Sequence, residues 1–98
     1  MIARFEEEAR DDWHQAVLYY EDQKEGLGVE FVEAVRQAVQ VIAAAPLSWP
    51  TYVKGTRAYR LTGFPYRIIY IVENDEVAVL AVMHTKRSDK YWTQRRQK

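Results

Sequence analysis

The sequence predicts an α+β fold in which an N-terminal helical hairpin packs on one face of a small antiparallel β-sheet. Three observations lead there. Apolar residues recur at helical spacing as far as Pro46, and beyond it the period drops to two. At 98 residues, 48% of them hydrophobic, the chain has enough apolar surface for one core and too little length for two. It therefore reads as a single domain, 1–98.

Ile2–Phe5 offers a short first strand. Phe5, Ala9, Trp13, Ala16, Val17 and Tyr20 then mark an amphipathic helix over about 6–25. Glu6, Glu7 and Glu8 suit the positive end of its dipole, and Gly26 and Gly28 accept the backbone turn that ends it. Leu27, Phe31, Val35, Ala38, Val39 and Ile42 mark a second helix to about Ala45, where Pro46 stops it. The short link makes the two helices an antiparallel hairpin, with Trp13 and Tyr20 in its core stripe. "PLSWPTYVKGT" is a loop. "RAYRL" (57–61), "FPYRIIYIVE" (64–73) and "EVAVLAVMH" (76–84) follow as strands, with a break at Gly63 and a tight turn at Asn74-Asp75. Pro65 cannot donate a ladder hydrogen bond, so it belongs at the start of its strand or on an edge.

Alternation along 64–73 puts Phe64, Tyr66, Ile68, Tyr70 and Val72 on one face and Arg67, Ile69 and Ile71 on the other. Both faces are largely apolar. The hairpin covers one; the second needs the C-terminal tail, a second copy or a separate protein.

Several classes of chemistry find no support. No apolar run approaches the roughly 20 residues of a membrane span, and "MIARFEEEARDD" has no apolar stretch of a signal peptide. The lack of cysteine removes disulfides and thiolate metal sites and fits a cytoplasmic location. There is no glycine-rich phosphate loop. His14 and His84 are distant and show no zinc-type spacing, and Ser48 and Ser88 sit on no nucleophile elbow. Neither a cofactor nor a metal is expected.

The net charge is zero but unevenly spread. Residues 1–49 carry four basic and ten acidic side chains, net −6; residues 50–98 carry ten and four, net +6. Either the second half forms a basic face for an anionic partner, or the two halves pair with each other in the fold. The basic and aromatic set is Arg57, Arg60, Arg67, His84, Lys86, Arg87, Lys90, Tyr91 and Trp92. Metal-free RNA cleavage needs a base for the 2′-hydroxyl, cations for the phosphate and an acid for the leaving oxygen. Arg67, His84, Arg87 and Tyr91 are the candidates for those parts. With no catalysis, Arg57, Arg60, Arg67, His84, Lys86, Arg87, Tyr91 and Trp92 form a partner-binding surface, since Arg, Tyr and Trp are enriched at binding hot spots. Structural uses stand beside these. Arg67 can pair with an acid of the first helix, Tyr91 and Trp92 can pack on the sheet, and "RRQK" can be a solvated tail.

Five segments in order carry a resemblance that spans nearly the whole chain: Ala9-x-x-Asp12-x-x-x-Ala16-x-x-Tyr19-Tyr20, Leu27-Gly28-x-x-Phe31, Ile42-x-x-x-Pro46, Phe64-Pro65-Tyr66-Arg67-Ile68-Ile69-Tyr70 and His84-x-x-Arg87-x-x-x-Tyr91-Trp92. Together they resemble the RelE/ParE superfamily of bacterial type II toxin–antitoxin toxins. The resemblance implies a cytoplasmic toxin whose groove and sheet are wrapped by a cognate, acidic antitoxin in a hetero-oligomer. Two activities divide the superfamily: RelE-like members cut mRNA in the ribosomal A site without a metal, and ParE-like members trap DNA gyrase on cleaved DNA. Arg67, Arg87 and Tyr91 match the RelE pattern, but Thr85 stands where a further arginine is expected, and the chain is neutral where RelE-like cleavers are basic. The Tyr-Tyr, Leu-Gly-x-x-Phe, Phe-Pro-Tyr and Tyr-Trp details look more like the ParE and plasmid-stabilisation group. The short start "MIARF" departs from both. The expectation is a ParE-like gyrase poison, with a ribosome-dependent mRNA endonuclease as the alternative and a non-toxic antitoxin-binding module as the third reading.

Overall fold

A computed structural model describes residues 1–96. The elements run β1 (Ile2–Phe5), α1 (Glu7–Gln23), α2 (Leu27–Ala44), β2 (Arg57–Arg60), β3 (Tyr66–Glu73), β4 (Glu76–His84) and a short α3 (Lys90–Thr93). A single 3₁₀ turn at Val53–Gly55 interrupts the loop before β2. The helices and three later strands lie where the residue periods place them, within about two residues at each end.

The hairpin closes through one carboxylate. Gly26 takes a left-handed conformation at φ 89°, which glycine adopts without steric cost. No side chain of its own caps α2. Instead Glu21, in the last turn of α1, accepts the Gly28 N–H at 2.9 Å and the Gly26 N–H at 3.0 Å. That satisfies orphan donors and puts negative charge at the positive end of α2. Gly28 also lets the helices approach closely: a Cβ there would stand 2.9 Å from the Val17 carbonyl oxygen.

The sheet order is β1-β4-β3-β2. β2 and β3 are antiparallel, as are β3 and β4, while β1 joins β4 in parallel from Ile2↔Glu76 to Phe5↔Val79. The sheet is therefore mixed rather than wholly antiparallel, because a strand leading straight into α1 must run in the direction that lays the helix back over the sheet. Asn74 and Asp75 both have positive φ, as a two-residue hairpin turn requires. β3 starts at Tyr66 and not at Phe64, since Pro65 cannot donate and the Tyr66 N–H turns back to the Phe64 carbonyl.

Two cores flank the sheet. Under the helices lie Ala9, Ala16, Phe31, Val35, Ala38 and Ile42 against Ile68, Tyr70, Val77, Val79 and Val82. Tyr20, Phe31, Phe64 and Tyr66 pack ring to ring in the same layer, at centroid distances near 5 Å. On the other face Ile69, Leu80, Ala81 and Met83 are covered by Trp92, with Tyr52, Ala58, Ile71 and Tyr91 around them. Leu80 is the extra residue of a bulge, since Ile69 faces Ala81 while Tyr70 faces Val79. The chain's own C-terminus thus supplies part of the cover for the second face. The expectation of a solvated "RRQK" tail fails for Arg95, which is paired with buried Asp12; Arg96 is exposed, with ion pairs to Glu6 and Glu73, and Gln97 and Lys98 lie outside the described residues. No helix among the described residues is long and apolar enough to cross a membrane.

Candidate functional site

The parallel strand β1 is shorter than β4, and the site begins where it stops. Beyond the Phe5↔Val79 pair the outer edge of β4 has no strand partner. α1 crosses this open edge and lowers Asp12 onto it. The buried Asp12 carboxylate accepts the Val82 N–H at 3.1 Å. Arg95 reaches the same place from the C-terminus: Nη1 donates to Asp12 Oδ2 and to the Leu80 carbonyl oxygen, both at 2.8 Å, and Nη2 donates to Asp12 Oδ1 at 3.0 Å. The Tyr91 hydroxyl also donates to Asp12 Oδ1. One carboxylate and one guanidinium therefore replace a missing strand. They tie together α1, β4 and the segment after α3.

Beside this knot a cleft of about 210 Å³ opens between α1 and the ends of β3 and β4; Gln15, Tyr19, Tyr66, His84, Arg87 and Tyr91 are among its walls. The Arg87 guanidinium carbon stands 3.5 Å from the centre of the Tyr91 ring, and that of Arg95 stands 4.6 Å away. His84 faces Tyr66 across the β3–β4 ladder, and its Nδ1 accepts the Lys86 N–H at 3.1 Å. That bond leaves Nε2 to carry the proton of the neutral ring.

The remaining sequence-selected residues lie elsewhere. Arg67 and Arg60 face each other across β3 and β2, on the helix-free side, with Arg67 opposite Met83 on its other flank. Arg67 finds no acid of α1; its Nη1 reaches the Thr85 carbonyl oxygen at 3.4 Å. Arg57 donates to the Trp49 carbonyl oxygen at 2.7 Å. Lys86 and Lys90 are exposed. Trp92 is buried, and its Nε1 donates to Asp89, which also accepts the Tyr52 hydroxyl. So His84, Arg87 and Tyr91 are brought to one cleft, while Arg67 stands on the opposite face of the sheet. Part of the charge asymmetry is balanced within the fold. Arg95 with Asp12, Arg96 with Glu6, and Arg4 with Glu73 and Glu76 pair the two halves. Arg60, Arg67, Lys86, Arg87 and Lys90 form no ion pair among the described residues.

A family model described as the ParE toxin of the parDE type II toxin–antitoxin system matches residues 3–89. The chain belongs to the ParE toxin family. Among solved structures it is similar to the chromosomal ParDE toxin–antitoxin system from P. aeruginosa, with a TM-score of 0.63 and 18% identity over 86% of this chain and 95% of that one. It is also similar to the isolated E. coli RelE toxin, with a TM-score of 0.58 and 21% identity over 92% of this chain and 89% of that one. At these identities the likeness is one of fold. No curated protein matches the sequence.

In this member of the ParE toxin family, burial favours the neutral phenol at five tyrosines. Tyr91 is pushed above its ordinary value by desolvation, then by its bond to Asp12, with Arg95 opposing. Desolvation likewise raises Tyr20, Tyr52, Tyr66 and Tyr70, aided at Tyr52 by Asp89. A pKa raised on folding contributes stability that is complete below the unfolded value of about 10 and is lost as pH rises through the folded value. An alkaline titration followed by tyrosine absorbance and circular dichroism is therefore expected to show late, cooperative phenolate formation coinciding with unfolding. Titration of Tyr20, Tyr52, Tyr66, Tyr70 and Tyr91 near pH 10 with the fold intact would contradict it.

Asp12 and Arg95 were not among the residues selected from chemistry alone. The signal for Asp12 was its position: three residues after Ala9 and four before Ala16, it falls inside the buried stripe of α1, where a carboxylate needs a partner.

Proposed function

We propose that this protein is the toxin of a type II toxin–antitoxin pair, acting in the cytoplasm by gripping DNA gyrase on cleaved DNA and neutralised by a cognate antitoxin. The observation that carries this reading is the split of the four catalytic candidates. Proton transfer during RNA cleavage requires a base, an acid and cations within hydrogen-bond reach of one phosphate. Here Arg67 faces away from His84 and Arg87, and the Tyr91 hydroxyl is already committed to Asp12. What is left is a rim of unpaired cations and aromatic rings, suited to protein contact.

His84 and Arg87 sharing a cleft supports the second reading, a ribosome-dependent mRNA endonuclease. Expression in bacteria with parallel inspection of DNA and transcripts separates the readings. Growth arrest with gyrase-dependent DNA breaks and intact transcripts is expected. Transcript cuts at ribosomal A sites with intact DNA would replace the proposal with the nuclease. Growth without arrest would leave the third reading, a module that only binds an antitoxin.

A further inference from the structure

Arg87, Tyr91 and Arg95 follow one another at intervals of four residues through α3 and its flanks, and both guanidinium carbons lie against the Tyr91 ring, 3.5 Å and 4.6 Å from its centre. We infer that Tyr91 is a positioning residue: its ring holds the Arg87 guanidinium in the wall of the cleft as a contact to the target. This rests on the toxin reading above.

The unequal state of the two arginines is the first observation. Arg95 is engaged within the fold, donating to Asp12 and to the Leu80 carbonyl oxygen. Arg87 is exposed and makes neither an ion pair nor a side-chain hydrogen bond among the described residues. Its planar fork of donors is open to an anionic oxygen. An exposed arginine is ordinarily free to turn, and fixing it on binding costs rotamer entropy. A ring that fixes it beforehand removes much of that cost.

The local geometry is the second. Two consecutive turns bring positions 87 and 91 together: the Arg87 N–H donates to the His84 carbonyl oxygen at 3.0 Å, and the Tyr91 N–H to the Ser88 carbonyl oxygen at 3.1 Å. The ring itself is anchored, since the Tyr91 hydroxyl donates to buried Asp12. Donation to an anion enriches the phenol in electron density, which strengthens the hold of its face on a cation. Asp12 also balances the charge of Arg95, so a second guanidinium can share the ring.

The other cations of the candidate surface are the third. Arg67 is 5.9 Å from the centre of the Tyr52 ring, too far for a comparable hold. Arg57 is fixed, but by giving a donor to the Trp49 carbonyl oxygen. Arg60, Lys86 and Lys90 rest on no ring among the described residues. Arg87 is held by a ring face with every side-chain donor open.

A double-mutant cycle tests this, read as the concentration of purified chain that gives half-maximal gyrase-dependent DNA breaks, with melting midpoints measured alongside. Arg87→Gln is expected to raise that concentration about 30-fold, as for loss of a charge-assisted contact. Tyr91→Leu raises it about fivefold, and Tyr91→Phe, which keeps the ring, about twofold. In the Tyr91→Leu background Arg87→Gln then costs only about sixfold, because the two changes remove one shared interaction. A tyrosine that served the fold alone would give additive losses that track the melting midpoint, and additivity overturns the inference. So does Arg87→Gln at parental activity, or Tyr91→Phe as impaired as Tyr91→Leu, since the hydroxyl rather than the ring would then matter. Side-chain NMR of the parent needs no variant to fold: the Arg87 Nε–H group is expected to be ordered like that of Arg95, and an Arg87 as mobile as exposed Arg10 overturns the inference. Each of these results leaves the toxin reading standing. No gyrase-dependent breaks with the parent chain defeats both.

Discussion

Replacing Asp12 by asparagine is expected to destabilise the protein by about 3–5 kcal/mol, the range for removing one partner of a buried ion pair. The side chains are 3% exposed at Asp12 and 14% at Arg95, so solvent cannot take over the lost interaction. Asparagine is nearly the same size, and its oxygen can still accept the Val82 N–H. It leaves the Arg95 guanidinium buried without a counter-charge and offers an amide donor where two donors already converge. At roughly 4–8 °C per kcal/mol for a domain of this size, the thermal midpoint should fall by at least about 12 °C. Adding Arg95→Met should recover part of that loss, because the orphaned charge goes with it. A single variant melting within about 4 °C of the parent would mean that the open β4 edge holds without this knot.

Trp92→Ala should cost a similar amount, about 3–5 kcal/mol, by a different route. Trp92 closes the second core over Ile69, Leu80, Ala81 and Met83. Its loss strips apolar surface bare and breaks the Asp89 bridge to Tyr52. Urea unfolding should show the lowered midpoint, and a hydrophobic dye should bind the folded variant where it ignores the parent. Trp92→Phe separates the two contributions: it keeps most of the cover and loses one hydrogen bond, about 1 kcal/mol. If Trp92→Ala unfolds at the parental urea concentration, the C-terminal segment is not part of the core.

The contrast between these residues and the helical hairpin explains what was legible in the sequence. Pro46, Gly26 and Asn74-Asp75 act on their own neighbours, so a helix stop, a left-handed turn and a hairpin turn follow from local sterics. The apolar stripes of α1 and α2 carry the same kind of local signal. The parallel pairing of β1 has none: four residues do not announce a direction or a partner. Asp12 fell inside a visible stripe, yet its partners Val82, Tyr91 and Arg95 lie 70, 79 and 83 residues away. α3 is too short to show a period, so the sequence left Trp92 open between packing on the sheet, where it is buried, and a partner surface. For the candidate surface, residue types were readable and alternation gave the face of Arg67 within its own strand, but not how neighbouring strands align. Arg67 and His84 belong to neighbouring strands, and only the register puts them on opposite sides.

The short β1 also has a consequence for how the molecule is made. Its ladder partner begins at Glu76, so on the ribosome Ile2–Phe5 is made well before its partner and waits while residues 6–75 are synthesised. The helices can collapse on each other meanwhile, since their contacts are local; the sheet cannot close before its innermost strand leaves the exit tunnel. Arg95, which seals the remaining edge, arrives later still. A chain cut short before Arg95 would therefore have its hairpin formed and its central strand unlatched, a species for protein quality control.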